Sequence, residues 1–276
     1  FSLGHAGFMS IGAYASAIVT TLIQDQTDLP AVLLYLIAII VGGLAAGLIG
    51  VLVGIPALRL SGDYLCIVTV AVAEIVRVVL SNFGIPAITG KATFGKSFAG
   101  IAKVSDYHYV YITMVICIFV MYCYIRSRYG RALIAIREDR IAAAASGINV
   151  TKTKVLTFTI SAFFAGVSGA IYAHYITTLV PTYFNFSKSS EFLAIVILGG
   201  SGSLTGSIVA APILSALPQL ISYVVPAFAS YRMLIYAIIL VVVMIFKPTG
   251  LFGGREFSLP KLIDKITKKK TPKEKR

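Results

Sequence analysis

Charge is the first thing this sequence lacks: 13% of its 276 residues are Asp, Glu, Lys or Arg, against about 25% in an ordinary soluble domain. With 58% hydrophobic residues and a mean hydropathy of +0.89, a water-soluble fold is excluded. Acidic residues are scarcer still, 11 against 24 basic ones, for a net charge of +13. That excess does not point to nucleic acid. Eight basic residues follow Leu259 in the tail and most others fall between hydrophobic runs, a pattern that reports membrane topology. The three cysteines, Cys66, Cys117 and Cys123, lie inside apolar stretches without metal or redox spacing, so small core residues are expected and no metal site. No Gly-x-x-x-x-Gly-Lys-Ser/Thr loop occurs, which excludes ATP binding by that route. Gly199-Gly-Ser-Gly202 matches the nucleophile motif of rhomboid-type intramembrane proteases, but no histidine follows His174 to act as base. No catalytic residue is expected. No basic segment precedes Phe1, so a cleavable signal is not expected, and a start without Met inside a hydrophobic run reads as a chain lacking its first spans.

Long apolar runs are what is present. A helix crossing about 30 Å of hydrocarbon needs roughly 20 apolar residues, and such runs occupy residues 7–23, 31–54, 64–80, 107–125, 155–180 and 229–246. Between the last two lies a split region, 189–198 and 207–225, broken by Gly199 to Gly206. The expected fold is therefore all-α: a polytopic membrane protein of about seven to eight transmembrane helices, with one broken helix region and one cytoplasmic helix. Residues 1–255 form the membrane domain, with a cytoplasmic loop at 126–154, and 256–276 form a basic tail. Placing 126–154 inside puts 18 of the 24 basic residues on the cytoplasmic side, five outside, and Arg77 within the membrane. The Asp25/Asp28 turn is then external.

Within this scaffold a few polar residues call for a cause. Asp63, Glu74 and Arg77 lie in or beside the third span, where an unpaired charge costs roughly 2.5–3.5 kcal/mol. Glu74 and Arg77 share a helix face three residues apart and can pair, as a structural lock between helices or as part of a gate. The Gly199–Gly206 break reads either as a pathway element or as a tight helix-to-helix turn. Residues 130–147 mix helix formers with charge, are too polar to span, and end at Gly147, suited to a C-cap. Their exposed alanines favour docking on another protein over a merely solvated helix. Gly4, Gly7 and Gly12 in the first span and Gly43, Gly47 and Gly50 in the second are spaced for close helix packing.

Several stretches together resemble one family, the permease subunits of bacterial branched-chain amino-acid ABC transporters, of the M type in an H/M pair. They are Ser2-Leu-Gly-His-Ala-Gly-Phe8 with Ile11-Gly-Ala-Tyr14, and Leu58-Arg-Leu-Ser-Gly-Asp-Tyr64 with Glu74-Ile-Val-Arg77. Next come Ser127-Arg-Tyr-Gly-Arg-Ala132, Ile136-Arg-Glu-Asp139, Leu198-Gly-Gly-Ser-Gly-Ser-Leu-Thr-Gly206 and Lys247-Pro-Thr-Gly-Leu-Phe252. The resemblance runs in order along nearly the whole chain. One departure is Thr89-Gly-Lys-Ala-Thr-Phe-Gly95, where the family has a second glycine in place of Lys91.

The resemblance implies a related H-type permease as partner, two cytoplasmic P-loop ATPase subunits, an external solute-binding protein, and a multi-pass location in the bacterial inner membrane among its lipids. No nucleic acid and no cofactor in this chain are implied, since the ATPase subunits hydrolyse ATP. The cytoplasmic loop resembles a coupling helix, placing Arg131, Arg137, Glu138, Asp139, Ala142, Ala143 and Gly147 against the ATPase. Candidates for the path or gate are Gly4, His5, Tyr14, Asp63, Glu74, Arg77, Gly199, Gly200, Ser201 and Gly202. The rival readings are a permease for urea, an amide or a sugar, and a gradient-driven transporter in which Glu74 and Asp63 bind ions.

Overall fold

A computed structural model describes residues 2–26, 30–60, 62–82, 98–99, 101, 107–200 and 202–224, and single positions between 234 and 250. Among the described residues five helices are long and apolar enough to cross a membrane. They are α1 (His5–Gln26), α2 (Ala31–Ala57), α3 (Asp63–Asn82), α4 (Tyr107–Arg126) and α7 (Val150–Ile176). Between α4 and α7 lie two short helices, α5 (Arg128–Glu138) and α6 (Arg140–Ala145). After α7 come a 3₁₀ turn (Pro181–Phe184), α8 (Phe186–Gly199) and α9 (Leu204–Val224). The chain is an all-α multi-pass membrane protein. The expected last span at 229–246, the loop carrying Lys91, and the tail lie wholly or largely outside the described residues. The described residues form two compact units, Phe1–Ser190 and Glu191–Arg276.

Hydrophobicity inserts these helices but cannot pair them, because lipid is as apolar as leucine; close backbone packing has to do that. The packing is supplied by a glycine seam among α1, α2 and α7. A Cβ added to Gly42 would lie 2.8 Å from the Gly12 carbonyl oxygen, and one added to Gly50 would lie 2.6 Å from the Ala162 methyl. Gly12 packs directly on Gly166, and Gly169 on the backbone of Met9. Aromatics close the same seam: Gly43 lies under the Phe163 ring and Gly54 under Phe158, which meets Phe8 edge-to-face at 5.5 Å.

Contact order gives direction. His5 with Ser161, Gly12 with Gly166 and Thr20 with His174 rise together, so α1 and α7 run parallel. Gly50 with Ala162 and Gly54 with Phe158 descend as α7 ascends, so α2 is antiparallel. Gly4 on Thr69 and Gly7 on Ala73 make α3 parallel to α1. The Tyr124 hydroxyl lies 2.9 Å from Thr157 Oγ1, and the Tyr107 and Tyr175 rings are 6.1 Å apart, so α4 runs against α7. This strict alternation gathers Arg59, Arg126, Arg128 and Lys152 at one end, the basic end of the bundle.

The opposite end is plugged. Strands β1 (Phe98–Ala99) and β2 (Thr178–Leu179) form a two-residue antiparallel ladder. Phe98, Ile101, Leu179 and Phe184 fold back into a buried cluster with Ala13, Tyr14 and Ala17.

Candidate functional site

Two places concentrate polar side chains, one within the bundle and one at its basic end. Within the bundle, α1 begins at His5 rather than at a membrane surface. Its partner Ser161 lies about 16 Å along α7 from Val150, and Thr69 about 9 Å along α3 from Asp63, so the node sits inside the bundle on the side of its basic end. The first N–H groups of a helix have no intrahelical acceptor, and here no bulk water replaces it. Hydroxyls from two other segments and from Ser2, just ahead of the helix, serve instead: Leu3 N–H donates to Thr69 Oγ1 at 3.2 Å, Ala6 N–H to Ser189 Oγ at 3.3 Å, and Gly4 N–H to Ser2 Oγ at 3.5 Å. His5 Nε2 lies 2.8 Å from Ser161 Oγ and its Nδ1 3.3 Å from the Ser2 carbonyl. The result is a polar node of imidazole and hydroxyls inside an apolar bundle. The sequence pointed to Gly4 and His5 alone; Ser2 joins them locally, while Thr69, Ser161 and Ser189 carry no local signal, because they reach the node only through tertiary packing.

The other in-membrane candidates separate. Glu74 and Arg77 form an ion pair along α3, with Nε 2.9 Å from both carboxylate oxygens and Nη2 on Oε1. This pair lies within one helix. Thr69 and Ala73 face α1, whereas Glu74 is turned about 100° further round α3. Asp63 opens α3, while Ser201 lies outside the described residues. Gly199, Gly200 and Gly202 form a tight turn between α8 and α9. The last two adopt φ of 110° and 97°, and a Cβ on Gly199 would lie 2.6 Å from Gly206. Ser203 Oγ accepts from Gly206 N–H at 3.0 Å to start α9. An apolar cavity of about 880 Å³ between α2, α4 and α7, lined by Leu48, Leu52, Val120 and Phe163 among others, suits lipid tails.

Tyr14 is buried in the outer cluster, and its hydroxyl has no hydrogen-bond partner among the described residues. An unpaired buried hydroxyl contributes nothing to offset its desolvation. Tyr14→Phe is therefore expected to leave thermal stability within about 1 kcal/mol of the parent protein. A drop of several degrees in Tm would show that the hydroxyl has a structural partner.

The site at the basic end is an elbow rather than the single helix expected from 130–147. Asp139 breaks it, with φ −149° and ψ 113°, because its carboxylate caps α6 by accepting from Ile141 N–H at 2.7 Å and Ala142 N–H at 3.0 Å. Arg137 pairs with Glu138 at 2.8 Å on the solvent side. Arg131 Nη1 donates to the Arg126 carbonyl at 2.8 Å, closing the end of α4. Gly147, φ 84°, ends α6, and Asn149 caps α7 by accepting from Lys152 N–H. Ala142 is exposed and Ala143 buried. Sequence reasoning missed Ile141, 82% exposed at the tip.

Residues 1–244 match the family described as branched-chain amino acid transport system / permease component. The chain belongs to this family. It is 34% identical over 280 aligned residues to the high-affinity branched-chain amino acid transport system permease protein LivM of Escherichia coli K12, covering 90% of this chain and 63% of that protein. The chain thus spans a little under two thirds of that relative's length. A second permease protein of such a system, LivH of Salmonella typhimurium, is 31% identical over 143 residues, 52% of this chain and 44% of its own length. The fructose import permease protein FrcC of Rhizobium meliloti is 29% identical over 118 residues, 41% of this chain and 32% of its own. No solved structure matches the chain.

Proposed function

We propose that this chain is a permease subunit of an ATP-binding cassette importer, which moves leucine, isoleucine or valine across the bacterial inner membrane. It would work with a related permease, two cytoplasmic ATPase subunits and an external solute-binding protein. The observation that carries this reading is the 34% identity to LivM over 90% of the chain. Two structural features support it. The α5–α6 elbow is exposed at the basic end, where an ATPase would dock, and it is capped directly onto α4 and α7, so that a push on it is passed to both helices. The polar node at the start of α1 offers donors and acceptors inside the membrane-spanning bundle, what a zwitterion needs while crossing it. In this reading Gly4 and His5 border the path, and Arg131, Arg137, Glu138, Asp139, Ala142, Ala143 and Gly147 shape the coupling elbow.

The test is reconstitution of the full-length protein with its co-purifying subunits in liposomes. ATP hydrolysis stimulated by leucine-loaded binding protein is expected, and Glu138→Ala with Asp139→Ala is expected to cut it severalfold. Uptake that ignores ATP and collapses with the proton gradient would sink the importer reading. Likeness to FrcC makes a sugar the competing solute, and stimulation by fructose-loaded rather than leucine-loaded binding protein would select it.

A further inference from the structure

Helix α3 has one face in use and one left open. Thr69 and Ala73 pack on α1, whereas Ile67, Ala71, Glu74, Ile75 and Val78 recur at the spacing of a single helical face turned away from it. Ile67 is 63% exposed and Ile75 60%; the Glu74 side chain is 45% exposed and Arg77 25%. Glu74 lies about 16 Å along a helix of about 30 Å, which places the pair near midplane.

Lipid does not suit that face. Pairing removes the net charge, but a carboxylate and a guanidinium remain partly open where hydrocarbon offers no hydrogen bonds. Helix α4 provides the contrast within the same molecule. It has no buried residue, and its exposed positions include Ile112, Val115, Ile116 and Phe119, a surface made for acyl chains. A water-filled path does not suit the α3 face either, because Ile67, Ile75 and Val78 flank the pair on both sides and would all be wetted. A neighbouring helix satisfies both parts of the stripe, and Ala71, one turn below Ile75, lets its backbone come close.

We propose that this α3 face is the seam against which a transmembrane helix of a second permease chain packs, with Glu74 and Arg77 enclosed at its centre. The existence of that second chain rests on the function proposed above; the choice of face rests on the pair and its flanking residues. A face carrying an acid and a base one turn apart is complementary to a like face brought up about a two-fold axis, because each acid then meets the other's base. Two permeases of one family are suited to such pairing.

The test is site-directed photo-cross-linking in membranes containing the full-length protein and its co-expressed second permease. With Cys66, Cys117 and Cys123 replaced by Ala, single cysteines at Ile67, Ile75 or, on α4, Val115 carry a benzophenone maleimide. The α3 positions are expected to capture the second permease with at least about fivefold the yield of Val115→Cys, as close helix contact requires. Lipid adducts at all three positions would overturn the seam, as would adducts that leave the chain at its own mass, which would show that another segment of the same protein covers α3. ATP-driven uptake by the same membranes reports on the function separately. Uptake without α3 cross-links refutes the seam alone, whereas loss of both ATPase association and uptake refutes the function.

Discussion

Replacing Gly12 or Gly169 with valine is expected to stop the protein from accumulating as a folded membrane protein. Gly12 packs on the backbone of Gly166, which in turn lies against Gly42 and the Ala46 methyl, while Gly169 lies against the Met9 carbonyl. Every neighbour named is backbone or a methyl on a second helix, so no flexible side chain can swing aside. Overpacking costs typically about 1–3 kcal/mol where neighbours can shift, and more where they cannot. Against a total stability of order 5–15 kcal/mol, such a loss is a large fraction. Because lipid solvates the separated helices well, little beyond this close packing opposes their separation. The fraction of detergent-extracted protein that elutes as a monodisperse peak is expected to fall more than about tenfold, the equivalent of about 1.4 kcal/mol. Gly47→Ala is the control: its new Cβ would meet Phe163 Cβ at 3.6 Å, an ordinary contact. A Gly12→Val protein that extracts as well as Gly47→Ala would show that the three helices are not held by this seam.

The seam also marks what the sequence could and could not convey. Run length located α1 to α4 and α7, because a bilayer dictates how many apolar residues a span needs. Ends were less legible, since caps set them. Helix α7 begins at Val150 rather than 155 because Asn149 caps it and Lys152 and Lys154 sit on its first turns; it ends at Ile176 because Thr177 adopts φ 62°. The first-span glycines were recognisable as packing residues, yet the α7 glycines that meet this span, Gly166 on Gly12 and Gly169 on Met9, were not, because helical spacing shows which face is small and not which helix meets it. The polar node was hidden for the same reason: Thr69, Ser161 and Ser189 are unremarkable hydroxyls until the fold brings their three segments to the start of α1. The elbow was half legible. Its alanines and charges pointed to a cytoplasmic docking helix, but that Asp139 Oδ1 caps α6 was not legible.

With Asp139 capping α6, the expected apolar centre of the elbow is Ile141. Its side chain is 82% exposed at the start of α6, beside exposed Ala142 and Ala144, so it stands out as the large apolar group on a small-residue surface. Burying an isoleucine in a partner's groove is worth about 1.5–3 kcal/mol, which corresponds to roughly 10- to 100-fold in affinity. Ile141→Glu replaces that gain with a charge needing solvation, so ATPase association and ATP-driven uptake are both expected to fall by at least about tenfold. The elbow itself should survive. Position 141 lies in the first turn of α6, where a carboxylate favours the helix dipole, and the removed side chain touches little of its own protein. Membrane accumulation and thermal unfolding of the isolated permease should therefore match the parent protein, which separates a docking defect from a folding one. Asp139→Ala gives the opposite signature: a lost cap costs about 1 kcal/mol of local stability, with coupling reduced only as far as the elbow frays. Solute-stimulated ATP hydrolysis at parental rates in Ile141→Glu liposomes would mean that the ATPase grips another surface. Loss in Ile141→Glu with a milder deficit in Asp139→Ala would place the contact at the elbow's apolar tip, and the carboxylate behind it would be what holds that tip in position.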